Sequence, residues 1–376
     1  LFYLLAGVFA LISIPIWIMA YQGQVPINGY LNSLAWHQHE MLFGFAPAVM
    51  AGFLLTAVRN WTGLATPTGA GLAALGCLWL AGRITAFTGP AAPAVLLDLA
   101  FLPTLAIILA IPIVRSRNFR NLKLLLVLAA LGSANTVYHL AYAGLLQTQF
   151  LAVAINVAID VIVILMAIMG GRVIPAFTAN AVPSAKPRPS AAVETVAIGS
   201  LLLVLCGDLV APLYTLPPIA WFALFFIAAI AHGIRLWRWD AHPGYRNALL
   251  SMLPIAYLWI PAALGLRALA ALALVPPSAA IHALTIGAMT SLMLAMMMRS
   301  ALGHTGRSLL AGPIEIAAFT LLQLAAVARI MATVVAPDHY NNLVTWSGAL
   351  WLLAFALFLW RYGPMLMRAR IDGKSG

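Results

Sequence analysis

Two histidines, a glutamate and a methionine, in the order His37-Gln38-His39-Glu40-Met41, open an apolar run that continues to Gly63 and is long enough to cross a bilayer. Ionisable groups at membrane depth cost roughly 2.5 to 3.5 kcal/mol each on insertion scales, so such a cluster reads as functional. Imidazole ligates transition metals and haem iron. A thioether suits copper, although a methionine more often simply packs. A carboxylate beside a ligating imidazole orients it or carries a proton. On a helix, residues two apart point about 200° apart, so His37 would share a side with Glu40 and Met41, away from His39. In an extended chain both imidazoles would face one ion. No second histidine stands at the H-E-x-x-H spacing, which excludes a zinc protease of that kind.

These side chains need elements to position them. Of 376 residues, 64% are hydrophobic and only 8% charged. Soluble globules carry about 25% charge, so the composition implies an all-α, polytopic transmembrane helix bundle. At about 20 apolar residues per crossing, twelve spans are predicted near 1–21, 35–58, 68–87, 91–114, 121–144, 149–174, 190–213, 217–237, 247–274, 278–299, 312–335 and 342–363. Thr88-Gly89-Pro90, Leu216-Pro217-Pro218 and Val275-Pro276-Pro277 punctuate their ends. Residues 1–376 read as a single transmembrane domain. The one linker-like stretch, Pro-rich Thr178 to Pro189, separates halves 1–177 and 190–376. Cys77 and Cys206 fall inside apolar runs and read as buried thiols, which leaves no disulfide framework.

All but three of the 20 Lys and Arg follow spans two, four, six, eight and ten or the last span, from Arg59 through Arg115, Arg172, Arg235 and Arg299 to Lys374. Basic residues gather on the cytoplasmic side of a membrane, so both termini are expected to be cytoplasmic. The same rule explains the basic excess without nucleic acid as a partner. The exceptions, Arg83, Arg267 and Arg329, lie one to two turns before the outer ends of spans three, nine and eleven. Singly, each would snorkel to the headgroups; three at one depth suggest a shared anionic partner. His37 and His39 at the outer end of span two, His139 late in span five and His282 early in span ten fall in the same layer. A site built from it would take metal ligands from His37, His39, His139 and His282. It would hold a cofactor through His39, His139 and His282, with Arg83, Arg267 and Arg329 for its anionic groups. Haem b needs an axial imidazole and cations for two propionates, and copper suits the same imidazoles. No residue is assigned a catalytic role.

Asp98, Asp160 and Asp208, within spans four, six and seven, read as proton carriers or, preferably, as partners for buried amides and arginines. His232, His242, His304 and His339 fall at helix ends, turns or loops and carry no site. A repeat is visible: His39, Gly44, Met50, Thr62 and Gly63 match His282, Gly287, Met293, Thr305 and Gly306 at a constant offset of 243. Both segments run inward, so a parallel repeat would make His39 and His282 equivalent.

The run His37 to Phe45, with Gly52-Phe-Leu-Leu-Thr56, Trp61-Thr-Gly63, Gly170-Gly-Arg172-Val-Ile-Pro175-Ala-Phe-Thr178 and Gly303-His304-Thr305-Gly306-Arg307, resembles the NnrS family. The resemblance implies a bacterial inner (cytoplasmic) membrane protein of about twelve spans that contains haem and copper and is associated with nitric oxide metabolism and nitrosative-stress resistance. It assigns no individual histidine. On this reading the partners are the lipid bilayer and a diatomic gas such as nitric oxide. A redox enzyme acting on nitric oxide or a related nitrogen oxide would also need an electron donor, a quinol or a membrane protein, because the chain has no C-x-x-C-H haem attachment. The competing class is a secondary transporter of a small solute or metal without haem, which Pro47, Pro103, Pro254 and Pro261 inside spans permit. A metal-delivering assembly factor is a third. The topology predicts that green fluorescent protein fused after Gly376 fluoresces while alkaline phosphatase fused there is inactive; the reverse pattern would invert the assigned orientation.

Overall fold

The computed structural model describes residues 1–214 and 216–373; Lys374, counted above among the C-terminal basic residues, lies outside them. Among the described residues there is no strand, and twelve helices are long and apolar enough to cross a membrane. They are α1 (Phe2–Tyr21), α2 (Ser33–Thr62), α3 (Gly69–Thr88), α4 (Ala91–Arg115), α5 (Phe119–Tyr142), α6 (Gln149–Ala181), α7 (Ala191–Val210), α8 (Pro218–Arg238), α9 (Ala248–Ala271), α10 (Pro277–His304), α11 (Pro313–Val334) and α12 (Pro337–Leu366). The all-α, twelve-span expectation holds, with one clear difference in length: α6 continues through Arg172 and Pro175 to Ala181.

The helix starts follow from local chemistry. Proline opens α8, α10 and α11, where its missing N–H would have had no intrahelical acceptor. At the head of α2, the Asn32 side chain accepts from the Ala35 N–H at 2.9 Å. Before α11, the Gly312 N–H donates to Glu315 Oε2 at 2.8 Å.

The chain forms two compact units, Leu1–Val161 and Ile162–Gly376, and the division falls within α6. In the first, α2 packs on α1 and α4, while α3, α4 and α5 pack in succession. In the second, α8 packs on α7 and α9, α9 on α10, and α11 on α12. Cys77 and Cys206 lie on exposed helix faces, contrary to the expected burial. In a chain that meets lipid, an apolar helix face no longer implies a protein neighbour.

Two helices depart from uniform α geometry. Helix α2 is α-helical over Ser33–His39, π-helical over Glu40–Phe45 and α-helical again over Ala46–Thr62. Helix α10 repeats the pattern, with Pro277–His282, a π segment over Ala283–Thr290, then Ser291–His304. Each π segment begins at the residue after a histidine of the 243-residue repeat, which gives that repeat a structural counterpart. Such widened turns occur frequently at functional sites. Side chains satisfy carbonyls in and near them. Trp79 Nε1 donates to the Gly44 carbonyl at 2.9 Å, and the hydroxyls of Thr290 and Ser291 donate to the Thr285 and Ile286 carbonyls at 2.8 and 3.1 Å.

Both π segments carry a glycine against a neighbouring side chain. A Cβ on Gly44 would stand 2.5 Å from Arg83 Nη1, and one on Gly287 would stand 2.5 Å from the Trp259 ring. Gly287→Ala is therefore expected to lower stability by about 1–3 kcal/mol through overpacking. Gly265→Ala, whose Cβ would meet nothing within 4 Å, is the control. Thermal unfolding in detergent checks this, and equal midpoints for the two variants would refute the close contact.

Candidate metal centre

Because the backbone is already helical at Ser33, His37 and His39 diverge, and the extended chelating pair does not form. His37 stacks on Trp17 of α1, with ring centroids 4.0 Å apart and 19° between planes. His39 turns into the first unit and is fully buried. There it meets Asp98 from α4 and Asn135 and His139 from α5. Asn135, Tyr138, His139 and Tyr142 recur at helical spacing, so α5 presents them on one face.

Asp98 Oδ2 is the focus. Asn135 Nδ2 donates to it at 2.6 Å, while His39 Nε2 and His139 Nε2 stand at 3.1 and 3.0 Å. One ligand atom from each of His39, Asp98 and His139 can be chosen so that all lie within 4.8 Å of one another, and all three residues are buried. The other carboxylate oxygen of Asp98 pairs with Arg83 Nη2. Arg83 Nη1 in turn donates to both oxygens of Glu40, each at 2.9 Å. Glu40 Oε1 also faces His39 Nδ1 at 2.9 Å. If both carboxylates are ionised, the single guanidinium leaves this buried cluster one positive charge short.

Proton accounting sharpens that deficit. A neutral imidazole has a single N–H. His39 Nδ1 faces the Glu40 carboxylate, which only accepts, and its Nε2 faces Asp98 Oδ2 and Asn135 Oδ1. The Asn135 amide cannot be turned round, because its NH₂ group already donates to Asp98. Both ring nitrogens of His39 therefore face acceptors. Three arrangements resolve this: the ring carries two protons, Asp98 carries one on Oδ2, or a cation sits where Nε2 and Asp98 Oδ2 meet.

The rest of the shell is ordered. Tyr30 bonds through its hydroxyl to His139 Nδ1. Burial pushes the Tyr30 phenol above its ordinary range, so it stays an O–H group. Tyr138 donates to the Ala35 carbonyl at 2.8 Å, and Tyr142 accepts from the Asn32 N–H at 2.9 Å, which ties α5 to the head of α2. Phe43 and Tyr138 cover the His39 ring at centroid distances of 5.4 and 5.5 Å.

With the centre laid out, comparison with known families becomes informative. The family model described as NnrS protein matches residues 1–370, nearly the whole chain. The chain belongs to the NnrS family. No curated protein matches it. Within this NnrS chain the remaining predicted residues fall in the second unit. Arg267 donates to Asp208 at 2.7 Å, the carboxylate–arginine pairing preferred for such aspartates. His282 Nδ1 bonds to the Ser278 carbonyl at 2.7 Å, and Arg329 donates to the Tyr340 hydroxyl at 3.0 Å.

Sequence reasoning left Tyr30 unnoticed and Asn135 without a role, and it gave Asp98 no place beside histidines. The spacing of Asn135 and His139 on one helix turn was the available signal for the second. It also passed over His232, which is fully buried in a network of its own. There Arg235 pairs with Glu194 at 2.6 Å and donates to the Tyr257 hydroxyl, which meets His232 Nδ1, both at 2.7 Å.

Arg83 is expected to be essential for stability, because removing one partner of a buried ion pair costs about 3–5 kcal/mol. Arg83→Gln should lose that amount, and Arg83→Lys should recover only part of it, since an ammonium lacks the planar fork that spans Glu40 and Asp98. Thermal and denaturant unfolding in detergent measure both; a lysine variant as stable as the wild type would refute the bridging role.

Proposed function

We propose that His39, Asp98 and His139 hold one transition-metal ion, and that through it this NnrS protein acts in nitric oxide metabolism or nitrosative-stress defence. The reading places the protein in the bacterial inner membrane with the centre near the periplasmic leaflet. One observation carries it: the fully buried His39 ring faces acceptors at both nitrogens, and a cation beside Nε2 removes that conflict. Two imidazoles and a carboxylate suit copper, iron or zinc, and copper is the proposed occupant because the family resemblance implies it. When bound, a redox-active metal with an open coordination position supplies a site for a diatomic ligand such as nitric oxide, which reaches it through the bilayer. Glu40 orients His39 through Nδ1, and Tyr30 does the same for His139. Arg83 pairs with both carboxylates, and the Phe43 and Tyr138 rings cover His39. Turnover on this reading draws electrons from a quinol or a membrane protein.

Haem b, the other implied cofactor, does not fit between His39 and His139. Their ring centroids are 4.8 Å apart, whereas imidazoles on opposite faces of one iron stand roughly 6 Å apart, given metal–nitrogen bonds of about 2 Å. His282 would suit haem better as a holding residue. Its Nδ1 proton is directed at the Ser278 carbonyl, which leaves Nε2 with its lone pair for iron.

Metal analysis of the purified protein should give one copper per chain, reduced at least about tenfold in His39→Ala and His139→Ala and less in Tyr30→Phe. Retention of the metal in both alanine variants would overturn the triad. A Soret band should vanish in His282→Ala and survive in His39→Ala; the opposite pattern would move the haem to the first unit.

A further inference from the structure

The second unit holds a buried arginine without a carboxylate. Arg83, Arg235 and Arg267 pair with Asp98 and Glu40, Glu194, and Asp208 respectively. Arg329 on α11 is only 7% exposed, yet its described contacts are the Tyr340 hydroxyl at 3.0 Å from Nη2 and the Tyr340 ring at 5.2 Å from Cζ. Its Nη1 is buried with no hydrogen-bond partner. A guanidinium carries five N–H donors and does not deprotonate, so a buried one without an anion is far costlier than a paired one.

The two π segments differ at their first residue. In the first unit, the π segment that follows His39 begins with Glu40, the carboxylate that grips Arg83. In the second unit, the π segment that follows His282 begins with Ala283, at the same 243-residue offset. Arg83 lies on the helix after the first π segment and Arg329 on the helix after the second. Arg329 is a cation on the corresponding helix, three residues beyond the 243-residue offset from Arg83, and the second π segment, Ala283–Thr290, contains no carboxylate.

We propose that Arg329 Nη1 and the Tyr340 hydroxyl bind an oxyanion, a carboxylate or its equivalent, which supplies in the second unit the negative charge that Glu40 supplies in the first. Tyr340 accepts from Arg329 Nη2 and keeps its own proton to donate, so the two residues offer an N–H and an O–H to one anion. Two sources carry this chemistry: a carboxylate on a bound cofactor, or a free small oxyanion from the aqueous phase. Both residues of the site lie in the second unit.

The test is thermal unfolding of the full chain in detergent, titrated with sodium acetate at constant ionic strength, for wild type, Arg329→Gln, Tyr340→Phe and the paired control Arg267→Gln. Acetate should raise the wild-type midpoint saturably by about 2–4 °C. Arg329→Gln should abolish the rise, Tyr340→Phe should shift its midpoint concentration several-fold upward, and Arg267→Gln should retain it. If a cofactor carboxylate is the source, acetate stabilises only cofactor-depleted protein; if a free oxyanion is, it stabilises both preparations, and each result supports the site. An acetate response identical in wild type, Arg329→Gln and Tyr340→Phe, or none in cofactor-depleted wild type, would overturn it. Should Arg329→Gln fail to fold, Tyr340→Phe alone decides. Metal content of the His39 variants is a separate readout, so failure here leaves the first-unit reading standing.

Discussion

The first unit depends on Arg83 holding two carboxylates at once. Its guanidinium pairs with Asp98 through one nitrogen and with both oxygens of Glu40 through another. All three side chains are buried, and buried charges persist only when paired and hydrogen-bonded. This single fork sets the distance between α2, α3 and α4. It also leaves the His39 ring facing acceptors at both nitrogens.

The π segments show how the backbone serves that arrangement. A π turn widens the helix and changes the direction of every side chain beyond it. In α2 the widened turn starts directly after His39, so Glu40 can reach Arg83 while His39 faces α4 and α5. Gly44 within the same segment leaves room for the Arg83 guanidinium. The second unit reuses the device with other side chains: Trp259 lies against Gly287, and Gln323 links Trp259 to Ser291 through two 2.7 Å bonds. A shared backbone irregularity thus carries two different chemistries, a carboxylate-rich cluster in one unit and an unpaired arginine in the other.

The polar residues divide by how they are satisfied. Glu194, Arg235, Tyr257 and His232 form a chain that ends on the Ala197 carbonyl at 3.0 Å, and each donor in it finds an acceptor. Nothing is left over for a ligand, and the network reads as structural. Around His39 the acceptors outnumber the donors, and around Arg329 the donors outnumber the acceptors. Imbalances of this kind, more than the presence of histidine or arginine, mark places where something besides the protein belongs.

Much was legible from residues alone. Long apolar runs separated by Pro and Gly determined twelve helices, because a chain in lipid must satisfy its backbone within each segment. The cost of burying charge marked His39, His139 and Arg83 as noteworthy, and Asp98 as a partner for buried amides and arginines. The offset of 243 makes His39 and His282 equivalent in sequence. Tertiary structure alone decided that His37 turns to Trp17 and His39 to Asp98, that Tyr30 from a loop reaches His139, and that Arg267 is paired while Arg329 is not. Those outcomes depend on which helix faces meet. Hydrophobicity that is uniform around a lipid-embedded helix carries no record of which side is turned toward protein.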